Sequence, residues 1–120
     1  LTELGYSVYS GDDALTLGYL AHGACGLVSV VGHVAGQQLA EMIGAFDAGD
    51  TAKALEIYRR LLPAFTAVMG VANYGATTAK AALQLAGVLD NRRVRLPLVE
   101  LTDAEVADLR TSLEQAGLLS

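Results

Sequence analysis

Only two segments of this 120-residue chain are typical of β-strands, and both lie near its beginning. Residues 6–10 and 26–31 are rich in β-branched or aromatic side chains and are flanked by glycines. The second segment is almost continuously apolar, as expected for a strand covered on both faces of a parallel sheet. The segment between them is long enough for a helical crossover, so the sequence predicts two parallel neighbouring strands with a right-handed connection.

The remaining sequence has the apolar spacing of helices. A short helix is predicted to end at His22 and Gly23, and others to follow after residue 33, from residue 51 and over about residues 76–86. A capping box of Thr102 and Glu105 predicts the last helix. Pro63 should bend the second of the long helices. The apolar stripe of that helix is predicted to contain Leu55, Tyr58, Leu61, Leu62, Phe65, Val68 and Met69.

Two parallel strands do not make a self-sufficient sheet, because both edges would expose unpaired backbone groups. The chain also begins without methionine, and residues 1–5 (LTELG) are similar to the last turn and glycine stop of a helix. We therefore expect further strands to precede Leu1.

Composition limits the classes of partner. The formal net charge of −5 argues against nucleic acid and against an anionic membrane surface, since either requires a positive field. The basic cluster of Arg92, Arg93 and Arg95 is short and is interpreted as a solvated loop. Cys25 is the only cysteine, so no intrachain disulfide can form, and a small buried thiol in a reducing cytoplasm is expected.

Few side chains suggest catalysis by themselves. Asp12 and Asp13 could serve as acid and base or as metal ligands, but adjacent carboxylates at a helix start favour a capping role. His22 and His33 lack the spacing of a metal site. A Schiff base would need a lysine, and Lys53 lies in the opening turn of a helix. The other lysine, Lys80, is also predicted to lie within a helix, so surface or packing roles are favoured for both.

The strand ends carry a resemblance to a known family. Residues 9–15 (YSGDDAL) and 23–30 (GACGLVSV) together resemble the dihydrodipicolinate synthase family of pyruvate-dependent class I aldolases. This implies an α/β fold, the C-terminal part of a (β/α)8 TIM barrel with a helical extension. Residues 1–47 would form its last two β/α units, with strands seven and eight, and residues 48–120 the extension.

The resemblance implies a lyase that condenses pyruvate with aspartate semialdehyde through a lysine Schiff base, in lysine and diaminopimelate biosynthesis. That lysine and the proton-relaying groups would lie upstream of Leu1, so this chain would hold no catalytic residue and be inactive alone. The resemblance further implies no metal or other cofactor, small-molecule partners, a cytoplasmic location and a homotetramer when complete.

Two residues match the family's pyruvate pocket. Val28 matches an aliphatic residue of strand eight whose backbone borders pyruvate, and Gly11 matches a glycine of strand seven at the pocket wall. Barrel active sites lie at the carboxyl ends of strands, which fits both positions. Two alternatives stay open. One is another pyruvate-dependent aldolase, such as an N-acetylneuraminate lyase or a keto-deoxy-sugar aldolase, and the other is a non-enzymatic helical interaction domain.

Overall fold

A computed structural model of the chain describes residues 2–120 and begins with a 3₁₀ turn at Thr2–Leu4. Strand β1 (Tyr9–Ser10) and strand β2 (Gly26–Leu27) are joined by helix α1 (Thr16–Ala21). The strands pair in parallel, with Tyr9 opposite Gly26 and Ser10 opposite Leu27, which confirms the predicted β-α-β unit. Leu1, the first residue of the predicted helix end, lies outside the described residues.

Both strands are shorter than the sequence predicts. The Cys25 amide donates to the Val8 carbonyl at 2.8 Å, and the Val28 amide donates to the Ser10 carbonyl at 2.8 Å, so the ladder extends just beyond each strand. Val31, predicted to end the second strand, instead precedes the next helix and is fully buried. Strand length depends on neighbouring strands, and within residues 2–120 each strand has only one.

Four helices follow, as predicted: α2 (Gly32–Asp47), α3 (Thr51–Met69), α4 (Ala76–Leu85) and α5 (Asp103–Gln115). The backbone of α2 departs from helical geometry at Ala35, where φ is −126° and ψ is 22°. The Asp50 carboxylate accepts the Lys53 amide at 3.0 Å and so begins α3. The predicted capping box begins α5, with the Thr102 amide donating to the Glu105 carboxylate at 2.7 Å.

One apolar core joins α2, α3, α4 and α5, and it corrects the predicted stripe of α3. Leu55 and Leu62 are 39% and 37% exposed. Leu61, Phe65 and Val68 of the predicted stripe are buried. Tyr58 and Met69 pack against the core. The prediction is therefore wrong at Leu55 and Leu62, because packing between α2 and α5 selects a surface that the apolar residues alone do not define. The buried residues of α3 are Ala54, Ile57, Leu61, Ala64, Phe65 and Val68.

The connection between α4 and α5 contains no helix or strand in the described structure. Arg93 and Arg95 are exposed, but Arg92 is not the solvated side chain that the sequence predicts. The Arg92 side chain is 22% exposed, and its guanidinium donates to the Leu101 carbonyl at 3.1 Å and to the Asp103 carboxylate at 2.7 Å. Arg92 therefore holds this connection against the start of α5.

Candidate functional site

The loops that follow the two strands lie side by side at one edge of the sheet. Parallel strands present their carboxyl ends at the same edge, and the hydrogen bond from the Val28 amide to the Ser10 carbonyl brings the loops together there. Gly11 directly follows Ser10, so the structure places Gly11 and Val28, the two residues singled out from the sequence, in neighbouring backbone segments.

This edge is open in the described structure. Val28 is 71% exposed, and a Cβ atom added at Gly11 would have no atom within 4 Å. Gly26, by contrast, approaches its neighbour closely, since a Cβ atom there would lie 2.9 Å from the Tyr9 ring. Gly11 and Val28 thus offer a surface of defined shape and backbone polar groups, without an acid, base or nucleophile of their own.

Asp13 corrects the predicted pair of capping carboxylates. Asp12 does cap the turn before α1, because its carboxylate accepts the Leu15 amide at 3.0 Å. Asp13 is only 2% exposed, and its carboxylate is bonded to other residues than those of that turn. Its Oδ1 accepts a hydrogen bond from the Ser29 hydroxyl, and its Oδ2 accepts the Val31 amide at 3.5 Å. Its partners therefore belong to the loop after β2.

Hydroxyl groups make further hydrogen bonds in the loops after the two strands. The Ser29 hydroxyl oxygen accepts the Gly32 amide at 2.6 Å, at the start of α2. The Ser10 hydroxyl donates to the Asp12 carbonyl at 2.8 Å, and so does the Thr16 hydroxyl. Sequence reasoning missed Ser29. A serine whose hydroxyl accepts the amide three residues further along has the spacing of a helix cap, and this spacing is the signal that could have identified it.

Cys25 is exposed, contrary to the buried thiol that the sequence predicts. Its sulfur donates to the Val8 carbonyl at 3.3 Å. A hydrogen bond and charge interaction with the Cys25 thiol raise the pKa of the Tyr9 phenol above its ordinary value. Tyr9 is itself 55% exposed, so both side chains are open to solvent in the described structure.

Neither lysine lies at the strand ends. The Lys53 ammonium pairs with the Glu41 carboxylate at 2.8 Å, and each side chain is about half exposed. The hydrogen bond and charge of Glu41 raise the pKa of Lys53, while Lys53 lowers the pKa of Glu41. The Lys80 ammonium donates to the Arg93 carbonyl at 2.8 Å. The predicted surface and packing roles match these contacts.

The two histidines lie on different elements, His22 directly after α1 and His33 within α2. His22 Nδ1 lies 2.7 Å from the Gly18 carbonyl oxygen, and His33 is exposed in the first turn of α2. Among residues 2–120, no group of three or more histidine, cysteine or acidic side chains is placed to hold a metal ion. None of the helices in that range is both long and apolar enough to span a membrane.

A groove of about 740 Å³ lies between α3 and α5. Leu62, Pro63 and Thr66 lie on one side of it, and Asp108 and Ser112 lie on the other. No residue of the strand ends lines this groove, so it is separate from the candidate site.

Two parallel strands joined through a helix, with their loops meeting at the carboxyl edge, define the chain as part of a β/α protein. The sequence model of the Dihydrodipicolinate synthetase family matches residues 1–116. The chain belongs to this family.

The relatives are longer than this chain. The 4-hydroxy-tetrahydrodipicolinate synthase of Kineococcus radiotolerans is 53% identical over 117 residues, which are 98% of this chain and 37% of that protein. The dihydrodipicolinate synthase of Thermotoga maritima is 36% identical, with a TM-score of 0.87 over 95% of this chain and 38% of that one. The chain thus spans well under half the length of these relatives and shares its fold with part of them.

A third relative has been solved with a ligand. The chloride-inhibited dihydrodipicolinate synthase of Acinetobacter baumannii, complexed with pyruvate, is 28% identical to this chain. Its TM-score is 0.84, over 94% of this chain and 38% of that one.

Proposed function

We propose that this chain supplies strands seven and eight of a (β/α)8 barrel, with its C-terminal helices, to a 4-hydroxy-tetrahydrodipicolinate synthase. The complete enzyme would condense pyruvate with aspartate semialdehyde through a Schiff base on a lysine, in lysine and diaminopimelate biosynthesis. The observation that carries the proposal is the position of Gly11 and Val28 at the carboxyl edge of two parallel strands, in a chain of this family. Active sites of barrel enzymes lie at that edge.

Gly11 and Val28 form part of the pyruvate pocket in this proposal. The exposed Val28 side chain gives shape to the wall, and its main-chain carbonyl faces the substrate. Gly11 leaves room for pyruvate to approach the backbone of the neighbouring strand end. The pyruvate complex of the Acinetobacter baumannii relative supports pyruvate as the ligand.

The reactive amine belongs to sequence outside this chain in our proposal, so the chain alone is inactive. A lysine that forms a Schiff base needs a lowered pKa, so that the neutral amine is available near pH 7. Glu41 instead raises the pKa of Lys53 and so favours its charged form. Lys80 lies on α4, beyond the strands, and its ammonium donates to the Arg93 carbonyl. We further propose that the complete enzyme uses no metal or other cofactor and is a cytoplasmic homotetramer.

A chimera tests this proposal. The 117 residues of this chain that align with the Kineococcus radiotolerans synthase replace the corresponding segment of that protein, and we call the product the chimera. We expect the chimera to consume pyruvate and aspartate semialdehyde together and to be trapped covalently by borohydride with pyruvate. The separate chain should show neither property.

Each other outcome has a definite meaning. Borohydride trapping of pyruvate on the separate chain would overturn the assignment of the reactive lysine to other sequence. A folded chimera that cleaves a sialic or keto-deoxy sugar acid, and does not condense aspartate semialdehyde, would indicate another aldolase. A folded chimera that neither reacts nor is trapped would favour the non-enzymatic interaction domain.

A further inference from the structure

Asp13 is a buried carboxylate that the proposed reaction does not use. It is 2% exposed, and none of the ion pairs within residues 2–120 includes it. A buried carboxylate is costly unless hydrogen-bond donors compensate for the lost water. Here the donors are the Ser29 hydroxyl and the Val31 amide, which both lie in the segment after β2. The sequence separation between Asp13 and Ser29 is 16 residues, so this contact joins two different loops.

The contact joins the two loops that contain the proposed pocket residues. Asp13 is the second residue after Gly11, and Ser29 directly follows Val28. Ser29 is itself held at the start of α2, because its hydroxyl oxygen accepts the Gly32 amide at 2.6 Å. Both carboxylate oxygens and the Ser29 hydroxyl are therefore engaged with protein partners. They are not available to a substrate, but they restrict how far the two loops can move apart.

We propose that Asp13 is a positioning residue that sets the spacing between Gly11 and Val28, and hence the fit of the wall to pyruvate. This inference rests on the proposed function. In this scheme neither Asp13 nor Ser29 is bonded to the reactive lysine. Substitution of either residue should therefore raise the KM for pyruvate more than it lowers kcat. Small displacements of a binding surface are sufficient for such an effect.

The variants Asp13→Asn and Ser29→Ala in the chimera test the inference. Asparagine keeps the size of the side chain but replaces one acceptor oxygen with an NH₂ donor. With one oxygen left, the side chain cannot keep both existing hydrogen bonds in their present geometry. We expect the KM for pyruvate to rise about tenfold in each variant, with kcat changed less than about threefold, the scale of losing one hydrogen bond to a charged group. The pyruvate concentration for half-maximal borohydride trapping should rise in parallel. The KM of the double variant should be close to that of either single variant, because both substitutions remove the same contact between Asp13 and Ser29.

Asp12→Asn is the matched control, since Asp12 is the adjacent carboxylate and makes no contact with Ser29. Its KM should stay within about twofold of the unsubstituted chimera, because asparagine also accepts a capping hydrogen bond. If kcat falls while KM and half-maximal trapping are unchanged, or if Asp12→Asn has the same effect as Asp13→Asn, the inference is wrong. Ser29→Ala decides the question if Asp13→Asn does not fold. An unsubstituted chimera without activity would instead refute the proposed function.

Discussion

Leu61 and Leu62 are adjacent in α3 but have opposite surroundings. Leu61 is fully buried in the core, whereas Leu62 is 37% exposed and lines the groove between α3 and α5. Successive residues of a helix are rotated by about 100°, so one of two neighbouring leucines can face the core while the other faces solvent. Hydropathy treats the two as equivalent, and only the packing of α2 and α5 against α3 separates them.

Replacement of each leucine by alanine should therefore have different effects. Leu61→Ala removes a fully buried side chain and leaves a cavity, and we expect it to lower the free energy of unfolding by about 3 kcal/mol. Leu62→Ala should cost less than about 1 kcal/mol, since much of that side chain is already in water. Denaturant unfolding of the chimera and of its two leucine variants, followed by circular dichroism, measures both losses. Equal losses would contradict the orientation of α3.

At the scale of elements, local chemistry predicted the helices better than the strands. The Asp50 cap and the capping box at Thr102 act within three residues, so the sequence contains the whole signal. Strand length depends on neighbouring strands, which is why residues 28–31 were wrongly assigned to β2. Asp13 and Arg92 were misjudged because their partners lie 16 and 9 to 11 residues away, so a short window cannot show them. In the candidate site, Gly11 and Val28 are predicted through a motif resemblance, whereas the contact of Ser29 with Asp13 is not predicted.

The capping box of α5 gives a pH-dependent prediction. Hydrogen bonds from the Thr102 amide and hydroxyl lower the pKa of Glu105 below its ordinary value of 4.5. A lowered folded-state pKa means that the stabilisation is complete above about pH 4.5 and is lost as the pH falls through the folded-state pKa. The melting temperature of the unsubstituted chimera should therefore exceed that of Glu105→Gln most clearly near pH 7, and the difference should shrink below about pH 4.5.

The control for this measurement is Glu100→Gln, which removes the same charge at an exposed position outside the capping box. Its melting temperature should stay close to that of the unsubstituted chimera throughout the same pH series. A difference for Glu105→Gln that is constant from pH 3 to pH 7 would show that ionisation of Glu105 does not stabilise α5.

At the scale of the whole molecule, the C-terminal helices are connected to the candidate site. The Tyr58 hydroxyl on α3 donates to the Ala14 carbonyl at 2.9 Å, across 44 residues of sequence. Its ring also packs on Phe65, with ring centroids 5.7 Å apart. The core likewise crosses the predicted boundary after residue 47, because it contains residues of α2 and α3 together. Asp13 and Tyr58 therefore each connect the loop after β1 to another part of the fold, Asp13 to the segment after β2 and Tyr58 to α3.

Tyr58→Phe tests whether the helices contribute to the site. The substitution removes one oxygen and keeps the aromatic contact, so we expect a stability loss of no more than about 1 kcal/mol. The loop that contains Gly11 would lose its bond to α3, and the KM of the chimera for pyruvate should rise about threefold, a part of the effect expected for Asp13→Asn. Tyr74→Phe is the control, since Tyr74 is 55% exposed and lies far along the chain from that loop. An unchanged KM in Tyr58→Phe would mean that the Asp13 contact alone positions the loop, with the helices stabilising the fold and leaving the pocket unaffected.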